Sequence, residues 1–119
     1  SIDFSSGWSD PQDGHRWTVA KESIITFFNP TSKIMTAKVM FNMNVVQNQT
    51  ILISMNDVNL ENYTNSKPGD NSLFEKEITL EPGKNIFKIT TDKDPISPGN
   101  GDIRKLGLSI SNLNIKFNL

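Results

Sequence analysis

The sequence predicts an all-β domain, an antiparallel sandwich of two sheets and most simply a jelly roll, on three observations. Apolar residues recur at every second position over long stretches, most clearly at Met35, Val39, Phe41, Met43 and Val45, with Lys38, Asn42 and Asn44 on the opposite face. That period of two belongs to a strand with one side buried. Turn signals such as Asn29-Pro30, Lys67-Pro68-Gly69-Asp70 and Glu81-Pro82-Gly83 punctuate the chain at intervals of about 8–12 residues, the spacing of a sandwich of short strands. No window places apolar residues at helical spacing between helix caps. An immunoglobulin-type sandwich competes, but the chain has no cysteine pair to support it.

The elements follow in order. Ile2 to Phe4 alternates apolar and acidic residues and predicts a short strand with a distant partner. Gly7 to Thr18 follows as an irregular loop, and Trp17-Thr18-Val19 is β-prone. Ser23 to Phe28 is rich in β-branched and aromatic residues and predicts a strand ended by Asn29-Pro30, since proline cannot donate to a ladder. A hairpin is expected there, leading into the strand Met35 to Val45. Asn48-Gln49 turns the chain into Ile51 to Met55, which Asn56-Asp57 closes, and Val58 and Leu60 make a brief return strand before a polar loop from Glu61 to Ser72. Phe74, Ile78 and Leu80 mark a strand, and Glu81-Pro82-Gly83-Lys84 predicts a second hairpin into Asn85 to Thr90. Asp92 to Asp102 should be irregular. The last run, Leu106 to Leu119, shifts its alternation between Ile110 and Leu113, which predicts a β-bulge at Ser111-Asn112.

A chain of 119 residues makes one domain with its own core. Its 12 basic and 13 acidic residues leave a net charge of -1, which gives no footprint for nucleic acid or anionic lipid. No apolar run reaches the roughly 18–20 residues of a membrane span, so no direct membrane insertion is expected. The chain starts at Ser1, which suggests a domain excised from a larger protein or a processed product.

The unusual chemistry gathers in Gly7 to Thr18, which holds both tryptophans, the single histidine and one of the two arginines. An exposed Trp8 would offer a flat apolar face to the C–H side of a sugar ring, with Asp10, Gln12, His15 and Arg16 supplying in-plane hydrogen bonds. Trp17, in its β-prone triplet, reads as core. Arg16 and Arg104 stand out in a chain that otherwise uses lysine, and a guanidinium fork suits fixed pairing with a carboxylate such as Asp102 or Glu22. An Arg16–Asp102 pair would tie the Trp loop to the last strand. No cofactor is called for. A lone histidine, no cysteine and no ligand-spaced motif leave no expected catalytic or metal residue, and the loop aspartates read as turn caps.

Two segments, Gly7-Trp8-Ser9 through Gly14-His15-Arg16-Trp17-Thr18 and Gly101-Asp102-Ile103-Arg104-Lys105-Leu106-Gly107-Leu108-Ser109-Ile110, resemble a jelly-roll, carbohydrate-binding-module-like domain of bacterial glycosyltransferases and surface-polysaccharide assembly proteins. Asn56 at a strand end and the Leu80-x-x-Gly83-x-Asn85 hairpin extend the likeness across nearly the whole chain. The resemblance implies a non-catalytic accessory domain that binds an oligosaccharide or polysaccharide on the extracytoplasmic side, attached to a larger membrane-associated protein. Its expected ligand-binding residues are Trp8, Asp10, Gln12, His15, Arg16, Asp102 and Arg104. The alternatives are a structural or protein-interaction domain that packs on a parent enzyme, and a small hydrolase.

Overall fold

The computed structural model describes residues 1–118, and among them lie nine strands and no helix. They are β1 (Ile2–Ser6), β2 (His15–Trp17), β3 (Glu22–Asn29), β4 (Met35–Val45), β5 (Gln49–Met55), β6 (Val58–Ser66), β7 (Ser72–Leu80), β8 (Gly83–Thr91) and β9 (Leu108–Asn118). One sheet has the order β1-β3-β8-β5-β6 and the other β2-β9-β4-β7, with every pairing antiparallel. With β1 set aside, the remaining strands pass between the sheets at every step but β5–β6, the order of the two interlocked Greek keys of a jelly roll, so the predicted fold class holds. β1 adds an edge to the five-stranded sheet.

The inner faces meet around four fully buried phenylalanines. Phe41 and Phe74 stack at 4.9 Å, and Phe87 sets its edge against both, at 6.1 and 5.6 Å, as well as against Phe27 at 5.7 Å. Edge-on contacts of this kind add to the area that each ring buries. The alternation read along β4 is the observed burial pattern, with Ala37, Val39, Phe41, Met43 and Val45 all inside.

The predicted bulge is present. The β4–β9 register runs Met40↔Asn114 and then Asn42↔Ser111, so one strand carries an extra residue, and Asn112 takes φ 56° to accommodate it.

Three expectations are corrected. The turns at 29–34 and 81–82 are not hairpins, because each carries the chain from one sheet to the other: β3 and β4 lie in different sheets, as do β7 and β8. A buried asparagine holds each crossing. Asn29 Nδ2 donates to the carbonyls of Lys33 and Leu80, at 2.7 and 3.1 Å. Asn85 Nδ2 donates to Glu81 and Gly83 at 2.8 and 3.1 Å, while its Oδ1 accepts from the Glu81 N–H at 2.8 Å. These amides satisfy backbone groups that neither ladder reaches. The third correction concerns Glu61 to Ser66, which extend β6 and are not loop. As an edge strand, β6 keeps Glu61, Asn62 and Thr64 in partial or full contact with water, and two register shifts against β5 blur its alternation. The last residue of the predicted final strand, Leu119, lies outside the described residues.

Candidate functional site

The Trp loop is built on a tight hairpin. Gln12 and His15 exchange backbone hydrogen bonds of 2.8 Å in both directions, with Asp13 at φ 43° and Gly14 at φ 79° between them. Positive φ at both central residues defines a type I′ turn, for which Asp-Gly is a preferred pair. The returning strand β2 then docks on β9 in the register His15↔Ser111, Arg16↔Ile110 and Trp17↔Ser109. Ile110 is buried, so Arg16 points into the sandwich edge, and His15 and Trp17 point outward on the face of the four-stranded sheet.

This placement reverses the expected roles of the two tryptophans. Trp8 packs on the core: its indole N–H donates to the Ile24 carbonyl at 2.9 Å and its ring meets Phe4 edge-on at 5.1 Å and 88°. It is an anchor and not a free stacking face. Trp17 is not core. It lies half-buried on the outer sheet face, where the His15 ring meets it at right angles with centroids 5.7 Å apart.

Of the two arginines, Arg104 makes the expected carboxylate pair and Arg16 does not. Arg104 pairs with Asp102, its Nη2 donating at 2.7 Å and its Nε at 3.0 Å, and its Nη1 donates to Gln12 Oε1 at 2.8 Å. The tie between the Trp loop and the β8–β9 connection is therefore Gln12–Arg104–Asp102, and the proposed Arg16–Asp102 pair does not form. The Arg104 guanidinium, through its hydrogen bonds, holds the Asp102 carboxyl down at about 2. Arg16 instead donates to the Ser9 carbonyl at 3.1 Å and lies over the Phe4 ring at 4.1 Å. Asp10 is exposed, and its backbone carbonyl accepts from the Ser9 hydroxyl at 3.0 Å. Among the described residues no three His, Cys, Asp or Glu side chains cluster as metal ligands.

Residues that the sequence reading left as ordinary outward positions join His15 and Trp17. Since Phe41, Met43 and Val45 face inward, Asn42 and Asn44 face out, and the register sets Ser111 beside Asn42 and Ser109 beside Asn44. Two rows cross the sheet as a result. One runs Trp17, Ser109, Asn44, with Asn44 Nδ2 donating to Asn71 Oδ1 at 3.3 Å, and the other runs His15, Ser111, Asn42, Leu73. Asn112, from the bulge, donates to Asn42 Oδ1 at 3.1 Å. From β2 to β7 the rows span three strand spacings, about 14 Å. The strip holds no acidic, lysine or arginine side chain, has an aromatic ring at one end and the half-exposed Leu73 at the other, and carries amides and hydroxyls between them. Of the expected site residues it contains His15, and Gln12 flanks it as the cross-strand partner of His15. The Asp13-Gly14 dipeptide was the one local signal that could have placed this face.

No family model and no curated protein matches the chain. Among solved structures it is similar to a family 35 carbohydrate binding module from an environmental isolate, with 14% identity, 98% of this chain and 77% of that chain covered, and a TM-score of 0.46. It is also similar to a family 35 module from Clostridium thermocellum, with 10% identity, 97% of each chain covered and a TM-score of 0.46. A family 35 module from Paenibacillus barcinonensis shares 16% identity over 97% of this chain and 88% of that one, at a TM-score of 0.41. These are loose likenesses at low identity, and they assign this chain neither a ligand nor a reaction.

Proposed function

We propose that this domain binds carbohydrate without transforming it, on the outer face of its four-stranded sheet. The observation that carries the reading is the strip itself: one tryptophan ring beside a pavement of Ser111, Asn42, Asn44 and Asn112, with the buried Ser109 beneath it. A sugar presents an apolar C–H face and a rim of hydroxyls, each both donor and acceptor. The ring matches the first, and side-chain amides and hydroxyls, which also donate and accept, match the second. A strip about 14 Å long suits an oligosaccharide and not a single ring. Such an open, solvated face gives up little water per contact, so affinities of about 10 µM to 1 mM are expected, roughly 4–7 kcal/mol. The resemblance of the Trp-loop and Gly101–Ile110 segments adds a setting to this reading: an extracytoplasmic accessory domain of a bacterial surface-glycan assembly protein.

The test is titration of the domain with cell-surface oligosaccharides, followed by NMR amide shifts and calorimetry. Trp17→Ala should abolish measurable binding while the amide spectrum stays folded, and Asn42→Ala should weaken it severalfold. If every oligosaccharide leaves the amides of β2, β4 and β9 unmoved, or if Trp17→Ala binds as the parent does, the reading fails.

A further inference from the structure

The four-stranded sheet has an unfinished edge. β2 covers β9 only from Ser109 to Ser111, so on the side away from β4 the backbone of residues 112–118 has no strand partner among the described residues. On the inner side of that edge lie Leu113 and Ile115, half-buried, and Phe117, 38% exposed. Phe4 of the opposite sheet shares a cleft of about 180 Å³ with Leu113, Ile110 and Pro11 at the start of this free edge, just where β2 stops. Arg16 lines the same cleft. Its one hydrogen bond goes to the Ser9 carbonyl, its face rests on Phe4, and no carboxylate of the described residues pairs with it. Arg104, by contrast, has its carboxylate. A half-buried guanidinium with most of its five donors unspent, among apolar walls, is a site for an oxyanion.

We propose that this edge binds the C-terminal segment of a protein partner as an added antiparallel strand, with the terminal carboxylate on Arg16. Three features select this occupant. The free ladder positions call for an extended backbone. The spacing of Leu113, Ile115 and Phe117 calls for apolar side chains at alternate positions of the guest. The single cation stands at the closed end of the slot, where a strand running against β9 would place its last residue. A sugar would set most of its hydroxyls against Phe4, Pro11, Ile110 and Leu113, with only His15 and Ser111 besides Arg16 in the lining to pair them. An internal peptide segment would have to continue past Arg16 and would run into the Asp13-Gly14 turn, whereas a chain end stops there. The free edge, seven residues long by the register, spans about 20 Å in strand geometry, which sets the recognised segment at roughly six residues.

The experiment selects random seven-residue peptides bearing free C-termini on the whole domain, then compares each enriched sequence as free acid and as C-terminal amide. The expected result is enrichment of sequences with apolar residues at alternate positions. The free acid should bind about ten- to a hundredfold more tightly than the amide, the span of a charge-assisted hydrogen-bonded pair, and should shift the amides of residues 112–118. Because the amide comparison changes only the ligand, it does not depend on any variant folding. Arg16→Lys, checked for its amide spectrum, should retain part of the preference for the acid. Failure to enrich any sequence, equal binding of acid and amide, or shifts confined to residues outside 112–118 would overturn the proposal.

Discussion

Replacing Trp8 tests whether the loop is anchored as the structure shows. In Trp8→Ala the Ile24 carbonyl loses its indole donor at 2.9 Å and Phe4 loses its edge-on partner at 5.1 Å. The hydrogen bond is worth about 0.5–1.5 kcal/mol net and the aromatic pair a similar amount. A fully buried tryptophan would cost about 3–5 kcal/mol on truncation, and because Trp8 is partly exposed the expected loss is about 2–4 kcal/mol. For a chain of 119 residues that corresponds to a fall in Tm of about 10 °C. Trp8→Phe separates the terms. It keeps most of the packing and removes the donor, and should cost about 1 kcal/mol. Denaturant unfolding with unchanged m-values is the assay. A Trp8→Ala midpoint within error of the parent's would show that the ring is not an anchor and would return it to the list of free binding surfaces.

Asn85→Ala should destabilise by about 3–5 kcal/mol in the same assay, since it strips partners from the Glu81 N–H and carbonyl, the Gly83 carbonyl and the Asn56 amide in a buried crossing. Gly7→Ala should cost about 3 kcal/mol or more: Gly7 sits at φ 81°, and an added Cβ would lie 2.5 Å from the Glu22 carbonyl oxygen and 2.7 Å from Ser23 Oγ. Asp102 should titrate at about 2 by carboxyl NMR, and Arg104→Gln should return it to the ordinary carboxylate range. Because its folded pKa lies below the unfolded value of 3.8, the Asp102–Arg104 contribution is present above pH 3.8 and is lost as the pH falls through about 2. Loosening of the Gln12–Arg104 contact in that acid window, and not near neutrality, is the outcome to look for.

The alternation of β4 and the phase slip at Ser111-Asn112 were legible because each is a property of consecutive residues on one strand. The two sheet-to-sheet crossings were misread as hairpins because Pro30 and Pro82 mark a reversal of direction equally well whether the chain returns beside itself or rises to the other sheet. Only the burial of Asn29 and Asn85 separates the cases, and burial comes from distant strands. The residue types of the candidate face were visible, yet their assembly was not. His15 and Trp17 meet Ser109 and Ser111 across more than ninety positions of sequence, through a register that no local pattern encodes. Trp8 and Trp17 exchanged roles for a related reason. A tryptophan in a Gly/Pro loop invites an exposed reading, but the Ile24 carbonyl that receives its N–H lies on a strand 16 residues away.

The position of β9 between β2 and β4 has a consequence for biosynthesis. As the chain leaves the ribosome from its N-terminus, β2 has no neighbour in its sheet until residues 109–111 emerge, and of the strand pairings among the described residues only β5–β6 joins consecutive strands. The candidate binding face cannot exist on a nascent chain that stops short of β9, so a stalled or truncated product would display half-made sheets and no ligand affinity. Pairings that span the whole chain also place folding toward the slow end for domains of this size, on the scale of milliseconds to seconds. During that interval the inward-facing row of β4 is open to other chains, and dependence on chaperones at high expression is the measurable sign of it.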